Sequence, residues 1–372
     1  LIICTTIIYR QTAYARFADP GYRPSGLLVA MDPDRIGDPL QVESFLREAR
    51  AIPGVKAAAR SGVYPDARNN MAGVFRRAGA TEGQRLQLGL VDGDTFATLG
   101  LRLIAGRLLS TEREGDLSPP GFFGDEQIDP AIRARGINAV LAESAVRMLG
   151  FADPAAALGA TLDLESEDSG TRYTIVGIVN DARFGSMRTE PLPILYLPAR
   201  EGHAAILLRF EPGQSGRVRD ALARLWEGRV DDGVFEASFG EDRIAEMYAG
   251  DTRRGFVFAL FAGLAILISC LGLFGLAAFM AERRTREIGL RKVLGARTRD
   301  IVRLLVWQFS KPVVVANLIA WPVAWWAMRD WLNGYADRIE IGPAPFLLAG
   351  ALALVIAMAT ILGHAVRVAR AN

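Results

Sequence analysis

Few residues of this chain have the types and spacing that enzyme chemistry requires. His203 and His364 lie far apart in the sequence, so neither a paired-histidine metal site nor a catalytic triad is expected. Residues 213–216 read GQSG, which lacks the spacing of a nucleophile elbow. No glycine is followed by lysine anywhere in the sequence, so a phosphate-binding loop with ATPase chemistry of its own is absent from it.

Acidic and sulfur-containing side chains suggest no metal site either. Asp116 opens an acidic segment with Asp125, Glu126 and Asp129, but this segment lacks the order of an EF-hand, and we expect a solvated loop. Cys4 and Cys270 both lie in apolar runs, where a disulfide framework is not expected. We therefore expect a non-catalytic chain that binds no metal or cofactor directly.

The strongest pattern is a basic segment between two long apolar runs. Residues 281–300 read AERRTREIGLRKVLGARTRD, with seven Arg or Lys and three acids. Apolar residues alternate with the charges and Gly295 follows, which predicts a short amphipathic helix with a glycine stop. Basic charge in a short loop between membrane helices predicts a cytoplasmic position. Because the segment lies between two apolar runs, we do not expect nucleic acid as its partner.

Three apolar runs have the length of membrane spans: residues 256–281, 312–331 and 346–366. Each has about 20 residues or more, enough to cross about 30 Å of hydrocarbon. Residues 1–8, LIICTTII, are too short to span, and we interpret them as the remnant of a first transmembrane helix. Membrane lipids are therefore expected partners.

Small residues in two of the runs predict close packing between membrane helices, because they let backbones approach. Apart from Asp330 at the end of the second run, the runs contain no Asp or Glu, which argues against an ion-coupled carrier. The predicted packing residues are Ser269, Gly272, Gly275, Ala349, Ala353 and Ala357.

Residues 9–250 predict a large α+β domain that ends near the second span. Two segments repeat a strand–helix–strand pattern, and a strand-rich lobe is inserted between them. Residues 241–255 are charged and amphipathic, and we expect one continuous helix into the membrane run. The first half has strands at 26–31 and 55–63, the second has strands at 204–210 and 233–239, and the lobe has strands at 86–91, 101–104, 173–179 and 193–197.

Several segments together resemble bacterial ABC-transporter permeases of the MacB/FtsX type. ERRTREIGLRKVLGA at 282–296, preceded by LAILISCLGLFGLAAF, is similar to the family's cytoplasmic loop and second span. Residues 91–110, 139–161 and 173–198 resemble its periplasmic core domain. Residues 9–28 resemble the start of the second repeat in long, two-unit permeases, which would make this chain the C-terminal half of such a protein.

The resemblance implies an inner-membrane protein with four spans, a periplasmic domain at 9–250 and an FtsX-like permease domain at 251–372. It also implies a second permease unit and a cytoplasmic ABC ATPase, which would bind ATP and magnesium. The loop at 282–300 would dock on that ATPase. The coupling residues carried over are Glu282, Arg283, Arg284, Arg286, Glu287, Ile288, Gly289, Leu290, Arg291, Lys292, Leu294 and Gly295.

Two functions from different classes follow. The first is a permease subunit that couples ATP hydrolysis to movement of the periplasmic domain, for export of a drug, peptide or lipoprotein, with or without a periplasmic adaptor. The second is a membrane-anchored regulator or scaffold that controls a cell-envelope enzyme without exporting anything. Drug or peptide sensitivity, compared with cell-chaining defects in a deletion strain, would separate them.

Overall fold

The computed structural model describes residues 1–66, 71–117, 135–165, 171–190, 193–230, 234–283 and 298–370. The chain divides into two compact units. A helical unit combines Leu1–Phe17 with Tyr248–Asn372, and an α/β unit comprises Ala18–Met247. A large α+β domain attached to a helical membrane segment, as the sequence predicts, is therefore present.

The elements are numbered here in chain order, within the described residues. The helices are α1 (Ile2–Phe17), α2 (Pro39–Arg50), α3 (Thr95–Leu99), α4 (Glu143–Met148), α5 (Pro154–Ala157), α6 (Ser215–Glu227), α7 (Gly240–Met247), α8 (Ala249–Arg283), α9 (Thr298–Leu332) and α10 (Ala344–Arg370). The strands are β1 (Leu27–Met31), β2 (Val55–Ser61), β3 (Ala72–Arg77), β4 (Gln84–Val91), β5 (Leu103–Gly106), β6 (Ile137–Ala142), β7 (Thr161–Leu164), β8 (Arg172–Val179), β9 (Ile194–Pro198), β10 (Ala205–Phe210) and β11 (Ala237–Phe239).

Helix α2 shows how strongly local sequence determines this part of the fold. The Asp38 carboxylate accepts hydrogen bonds from the backbone N–H groups of Leu40 and Gln41, at 3.0 and 2.9 Å. The Gln41 side chain accepts one from the Asp38 N–H at 2.9 Å, which completes a capping box. Pro39 occupies the first helical position, where its missing N–H costs nothing. Such a cap contributes about 1 kcal/mol to helix stability.

The two strand–helix–strand halves form a four-stranded section, in the order β11-β1-β10-β2, of one eleven-stranded sheet. At Ser61 and Val91, β2 of this section pairs with β4 of the inserted lobe. Every neighbouring pair in the section is antiparallel. This is the split βαβ arrangement, in which each half places a strand beside one from the other half. Helices α2 and α6 cover one face of the sheet. The apolar core there includes Phe45, Leu46, Val218, Leu222 and Trp226.

The inserted lobe is a ring of six strands that closes on itself. The pairing runs β4-β3-β7-β8-β6-β9, and β9 then pairs with β4 in parallel register, with Leu88 opposite Leu195. Strand β5 pairs with β8 outside the ring. The interior holds a separate cluster of apolar side chains that includes Phe75, Leu86 and Ile175. The predicted strand-rich lobe is thus observed, but its closure into a ring was not predicted from the sequence.

The helical unit is built from α1, α8, α9 and α10. Its buried apolar cluster brings residues of α1, such as Ile3 and Ile7, against Met328 and Leu332 of α9 and Phe346 of α10. Pro312 and Pro322 both lie within α9. The predicted spans 256–281, 312–331 and 346–366 fall within α8, α9 and α10, respectively.

Only part of the predicted set of spans is reproduced. Among the described residues, one helical stretch, Ala249–Leu276, is long and apolar enough to cross a membrane, and Ala344–Thr360 is a shorter apolar helix. The region 312–331 of α9 includes Asn317, several tryptophans and, near its end, Arg329 and Asp330, which lower its apolar character.

Two further expectations were wrong. The helix predicted over 241–255 is not continuous, because α7 ends at Met247, Tyr248 forms a turn and α8 begins at Ala249. Asp116 is not a solvated acid. It is buried and accepts two hydrogen bonds from the Arg107 guanidinium, at 2.6 and 3.0 Å, and one from Asn138 at 2.7 Å.

Candidate functional site

The predicted coupling loop joins α8 to α9. Glu282 and Arg283 belong to the last turn of α8, and Arg283 is exposed. The described part of the chain resumes at Thr298, where α9 begins. The remaining coupling residues lie outside the described residues: Arg284, Arg286, Glu287, Ile288, Gly289, Leu290, Arg291, Lys292, Leu294 and Gly295.

The predicted packing residues divide between two faces of the helical unit. Ala349 and Ala357 on α10 are buried. Together with Ala353 and with Ser269 of α8, they line a cavity of about 440 Å³ between the helices. A short side chain at each of these positions leaves this space open, so the structure brings these four residues together around one cavity.

Gly272 and Gly275 lie on a different face of α8. Both are exposed, and no described atom lies within 4 Å of the position that a Cβ would take on either residue. These two glycines therefore do not pack against another helix within the described part of the chain. Their bare backbone is accessible from outside this unit.

The cavity between the helices has almost wholly apolar walls. Its polar groups are few, among them the Ser269 hydroxyl and the Asn317 amide. The Asn317 side chain donates a hydrogen bond of 2.9 Å to the backbone carbonyl of Val313. The Cys270 thiol also lines the cavity, without an acid or base among the other lining residues. Such walls can hold an apolar group but supply no nucleophile and base for catalysis.

A buried polar cluster connects α1, α8 and the segment between α9 and α10. The Gln11 amide donates to the Asp337 carbonyl at 3.0 Å and accepts from the Ile339 N–H at 2.9 Å. The Tyr335 hydroxyl donates to the Asp251 carboxylate at 2.7 Å. Buried polar groups are costly unless bonded, so these bonds fix the segment to both helices. This cluster was not predicted from the sequence, although a glutamine beside an apolar run is a signal.

In the α/β unit, burial shifts the pKa of two titratable side chains towards their neutral forms. Burial raises the pKa of Asp92 to about 6, although hydrogen bonds from the Arg60 N–H and the Thr95 hydroxyl oppose the shift. Burial, assisted by the positive charge of Arg60, lowers the pKa of His203 to about 3. His203 is therefore neutral near pH 7. Among the described residues, no group of three or more His, Cys, Asp or Glu side chains could hold a metal ion.

Asp116 responds in the opposite direction. Burial would raise its pKa, but hydrogen bonds from Arg107, Asn138 and the Ser110 N–H hold the pKa of this carboxyl below its ordinary value. The charged pair of Arg107 and Asp116 thus anchors the end of the chain segment that follows β5. This arrangement is structural, since every oxygen of the carboxylate already accepts a hydrogen bond.

Part of the helical unit is similar to a known protein family. Residues 259–372 match the model of the FtsX-like permease C-terminal domain. This range contains most of α8, all of α9 and α10, and the predicted coupling loop. A search of curated proteins finds no match to the chain.

Two solved structures are similar to the chain. One is the periplasmic region of MacB from Actinobacillus actinomycetemcomitans, at 14% identity, covering 63% of this chain and 97% of that chain, with a TM-score of 0.41. The other is the extracellular domain of the noncanonic ABC-type transporter YknZ from Gram-positive bacteria, at 14% identity, covering 53% and 88%, with a TM-score of 0.34.

The carboxyl-terminal region is thus similar to the FtsX-like permease C-terminal domain. The predicted resemblance to permeases of the FtsX type is confirmed for residues 259–372.

Proposed function

We propose that the chain is the permease subunit of an ABC transporter, which transmits ATP-driven movement across the membrane to the α/β unit. The observation that carries the proposal is the family match over residues 259–372, which includes the basic loop between α8 and α9. A separate cytoplasmic ATPase binds ATP and magnesium and docks on residues 282–300. The chain itself contributes no catalytic residue.

The topology belongs to the same proposal. Four spans cross a bacterial inner membrane, with α1 as part of the first, and the α/β unit lies in the periplasm. Basic charge supports a cytoplasmic loop, because Arg and Lys near helix ends are retained on that side. A second permease unit, from another copy or a covalent repeat, completes the transporter. The movement drives export of a drug, peptide or lipoprotein.

The docking of the ATPase is tested by charge substitution in the loop. Arg286→Glu and Leu290→Asp in the full chain are expected to reduce co-purification of the ATPase at least tenfold and to abolish transport. The first variant reverses a charge and the second removes an apolar contact, and both changes weaken a helix-in-groove interface. Arg253→Glu, at an exposed arginine near the start of α8, is the matched control and is expected to leave both unchanged. Unchanged co-purification in both loop variants refutes the proposal.

A further inference from the structure

A cavity in the α/β unit carries charges of both signs. Its volume is about 560 Å³, within the range of small-molecule sites. It opens at one end of the four-stranded section of the sheet, where β1 and β2 begin and β10 and β11 end. The charged residues in its wall are Arg23, Lys56, Arg209, Glu241 and Asp242.

The positive side of the cavity is formed by two arginines. Arg209 is held rigidly, because its guanidinium donates to the backbone carbonyls of Arg23, Ser25 and Thr98. It forms no ion pair with an acid among the described residues. Burial and the neighbouring charge of Arg23 lower the pKa of Arg209 to about 10. Two like charges are therefore held close together without a described counter-ion.

Arg23 is the exposed member of this pair. The aliphatic part of its side chain lies against Gly100, where an added Cβ would meet Arg23 Cδ at 2.9 Å. Lys56 also lines the cavity but already has a partner, Glu211, at 3.7 Å. The uncompensated positive charge thus belongs to the two guanidinium groups. Arg209 already donates four hydrogen bonds to backbone carbonyls, so it offers a phosphate mainly its charge, and the exposed guanidinium of Arg23 supplies the hydrogen bonds.

The negative side consists of Glu241 and Asp242, in the first turn of α7. Neither forms an ion pair with Arg23 or Arg209 within 4.0 Å, although all four residues line the same cavity. The rings of Phe210 and Phe239 also line it and pack edge to face, with centroids 5.8 Å apart. Two carboxylates beside aromatic rings are suited to an ammonium group.

We propose that this cavity binds a zwitterion of the phosphoethanolamine type, with its phosphate at Arg23 and Arg209 and its ammonium at Glu241 and Asp242. Such a ligand satisfies both unpaired sets of charges at once. Phosphoethanolamine exists both as a soluble molecule and as the headgroup of a membrane lipid, and the experiment distinguishes these two sources. The site goes beyond the transport activity and does not depend on ATPase docking.

Calorimetric titration of the purified full chain in detergent tests the proposal, with O-phosphoethanolamine, inorganic phosphate, ethanolamine and β-alanine as probes. Phosphoethanolamine is expected to bind at least tenfold more tightly than each of the others. Arg23→Gln is expected to reduce its affinity to that of ethanolamine, and Asp242→Asn to reduce it to that of phosphate. Arg219→Gln and Asp220→Asn, at exposed positions on α6, are the matched controls and are expected to change nothing.

Three outcomes overturn the site: no measurable binding of phosphoethanolamine, equal losses in the α6 controls, or equally tight binding of β-alanine, which carries a carboxylate instead of a phosphate. The source of the ligand is read from lipid retained by the full chain, counted by native mass spectrometry. If Arg23→Gln and Asp242→Asn lose bound phosphatidylethanolamine but not phosphatidylglycerol, the ligand is the lipid headgroup. If lipid retention is unchanged while calorimetry shows the expected losses, it is the soluble zwitterion.

Discussion

The α/β unit and the helical unit use exposed leucine in opposite ways. Leu40 on α2 is 81% exposed, and Leu271 on α8 is 72% exposed. Leu40 stands in the first turn of a helix whose other apolar residues are buried. Leu271 belongs to a row of exposed apolar residues on α8 that includes Leu260, Leu264, Leu267 and Ile268.

This difference shows that the exposure of one residue says little about its environment. Single exposed leucines are normal on water-soluble domains. A contiguous apolar face is not, and it indicates a surface covered by lipid or by another protein. The α/β unit buries most of its apolar residues in its own core, whereas many apolar residues of the helical unit are exposed. Substitutions in each unit test how far this contrast extends.

The largest effect is expected in the core of the α/β unit. Phe45 on α2 is fully buried, and its ring packs edge to face on the ring of Trp226, with the two centroids 6.2 Å apart. Phe45→Ala is expected to lower the free energy of unfolding of this unit by about 3–5 kcal/mol, because it leaves a cavity. Hydrogen exchange of β1 and β10 against urea measures the change. Leu40→Ala, on the same helix, is the control and is expected to cost less than about 0.5 kcal/mol.

The second effect contrasts the two exposed leucines directly. Leu271→Asp is expected to impair membrane insertion of α8, since an aspartate near the centre of a span costs about 2.5–3.5 kcal/mol. Carbonate extraction of membranes measures the loss. Leu40→Asp introduces the same charge at a position of similar exposure and is expected to leave insertion intact. If both variants insert normally, the exposed face of α8 does not contact lipid.

A third change concerns the polar cluster of the helical unit. Tyr335→Phe removes the hydroxyl that donates to the buried Asp251 carboxylate. Loss of a hydrogen bond to a charged group is expected to cost about 1.5–3 kcal/mol, seen as faster hydrogen exchange over residues 333–343. Tyr14→Phe removes an exposed bond of 3.2 Å to Asp337 and is expected to have little effect. Equal effects of the two would show that burial does not matter here.

The smallest effect depends on pH and on His203. In the unfolded chain the pKa of this side chain is near 6.5, and in the folded chain burial lowers it to about 3. The unfolded state therefore takes up a proton first, and stability is lost as pH falls from 6.5 towards 3. Linkage gives a loss of about 2 kcal/mol at pH 5 relative to pH 7.5.

His203→Gln removes this titration. The variant is expected to lose about 2 kcal/mol less than the parent between pH 7.5 and pH 5 in urea unfolding. Asp92 acts with the opposite sign, because its pKa is raised to about 6 and acid stabilises it in the folded state. Since Asp92 is present in both chains, its contribution cancels in the comparison. Identical pH profiles of parent and variant would contradict the prediction.

Features that depend on neighbouring residues could be predicted from the sequence. The cap at Asp38 and Pro39 and the apolar face of α2 follow from local spacing, as do the alternating strands of the two halves. The order of the strands could not be predicted, because β1 pairs with β10 and β11 from far along the chain. The closure of the ring depends on the parallel pairing of β4 with β9, which leaves no local signal.

Of the candidate functional regions, the basic loop was predicted from the sequence, whereas the polar cluster and the charged cavity were not. The family match confirms the resemblance that the basic loop suggested. The bond between Asp251 and Tyr335 was missed, since each residue alone is ordinary and only the packing of α8 beside the segment after α9 joins them. The charged cavity was missed for the same reason: Arg23, Arg209 and Asp242 are widely separated in sequence and meet only in the folded unit.

The position of β1 between two late strands has a consequence for biogenesis. This strand is the first of the domain to be synthesised, yet its partners β10 and β11 are made near the end of the domain. Non-local pairing of this kind is slow and leaves apolar edges open meanwhile. The domain therefore remains partly unassembled until its whole length has been synthesised. Assistance from a chaperone during that interval would matter more to this chain than to one built from hairpins.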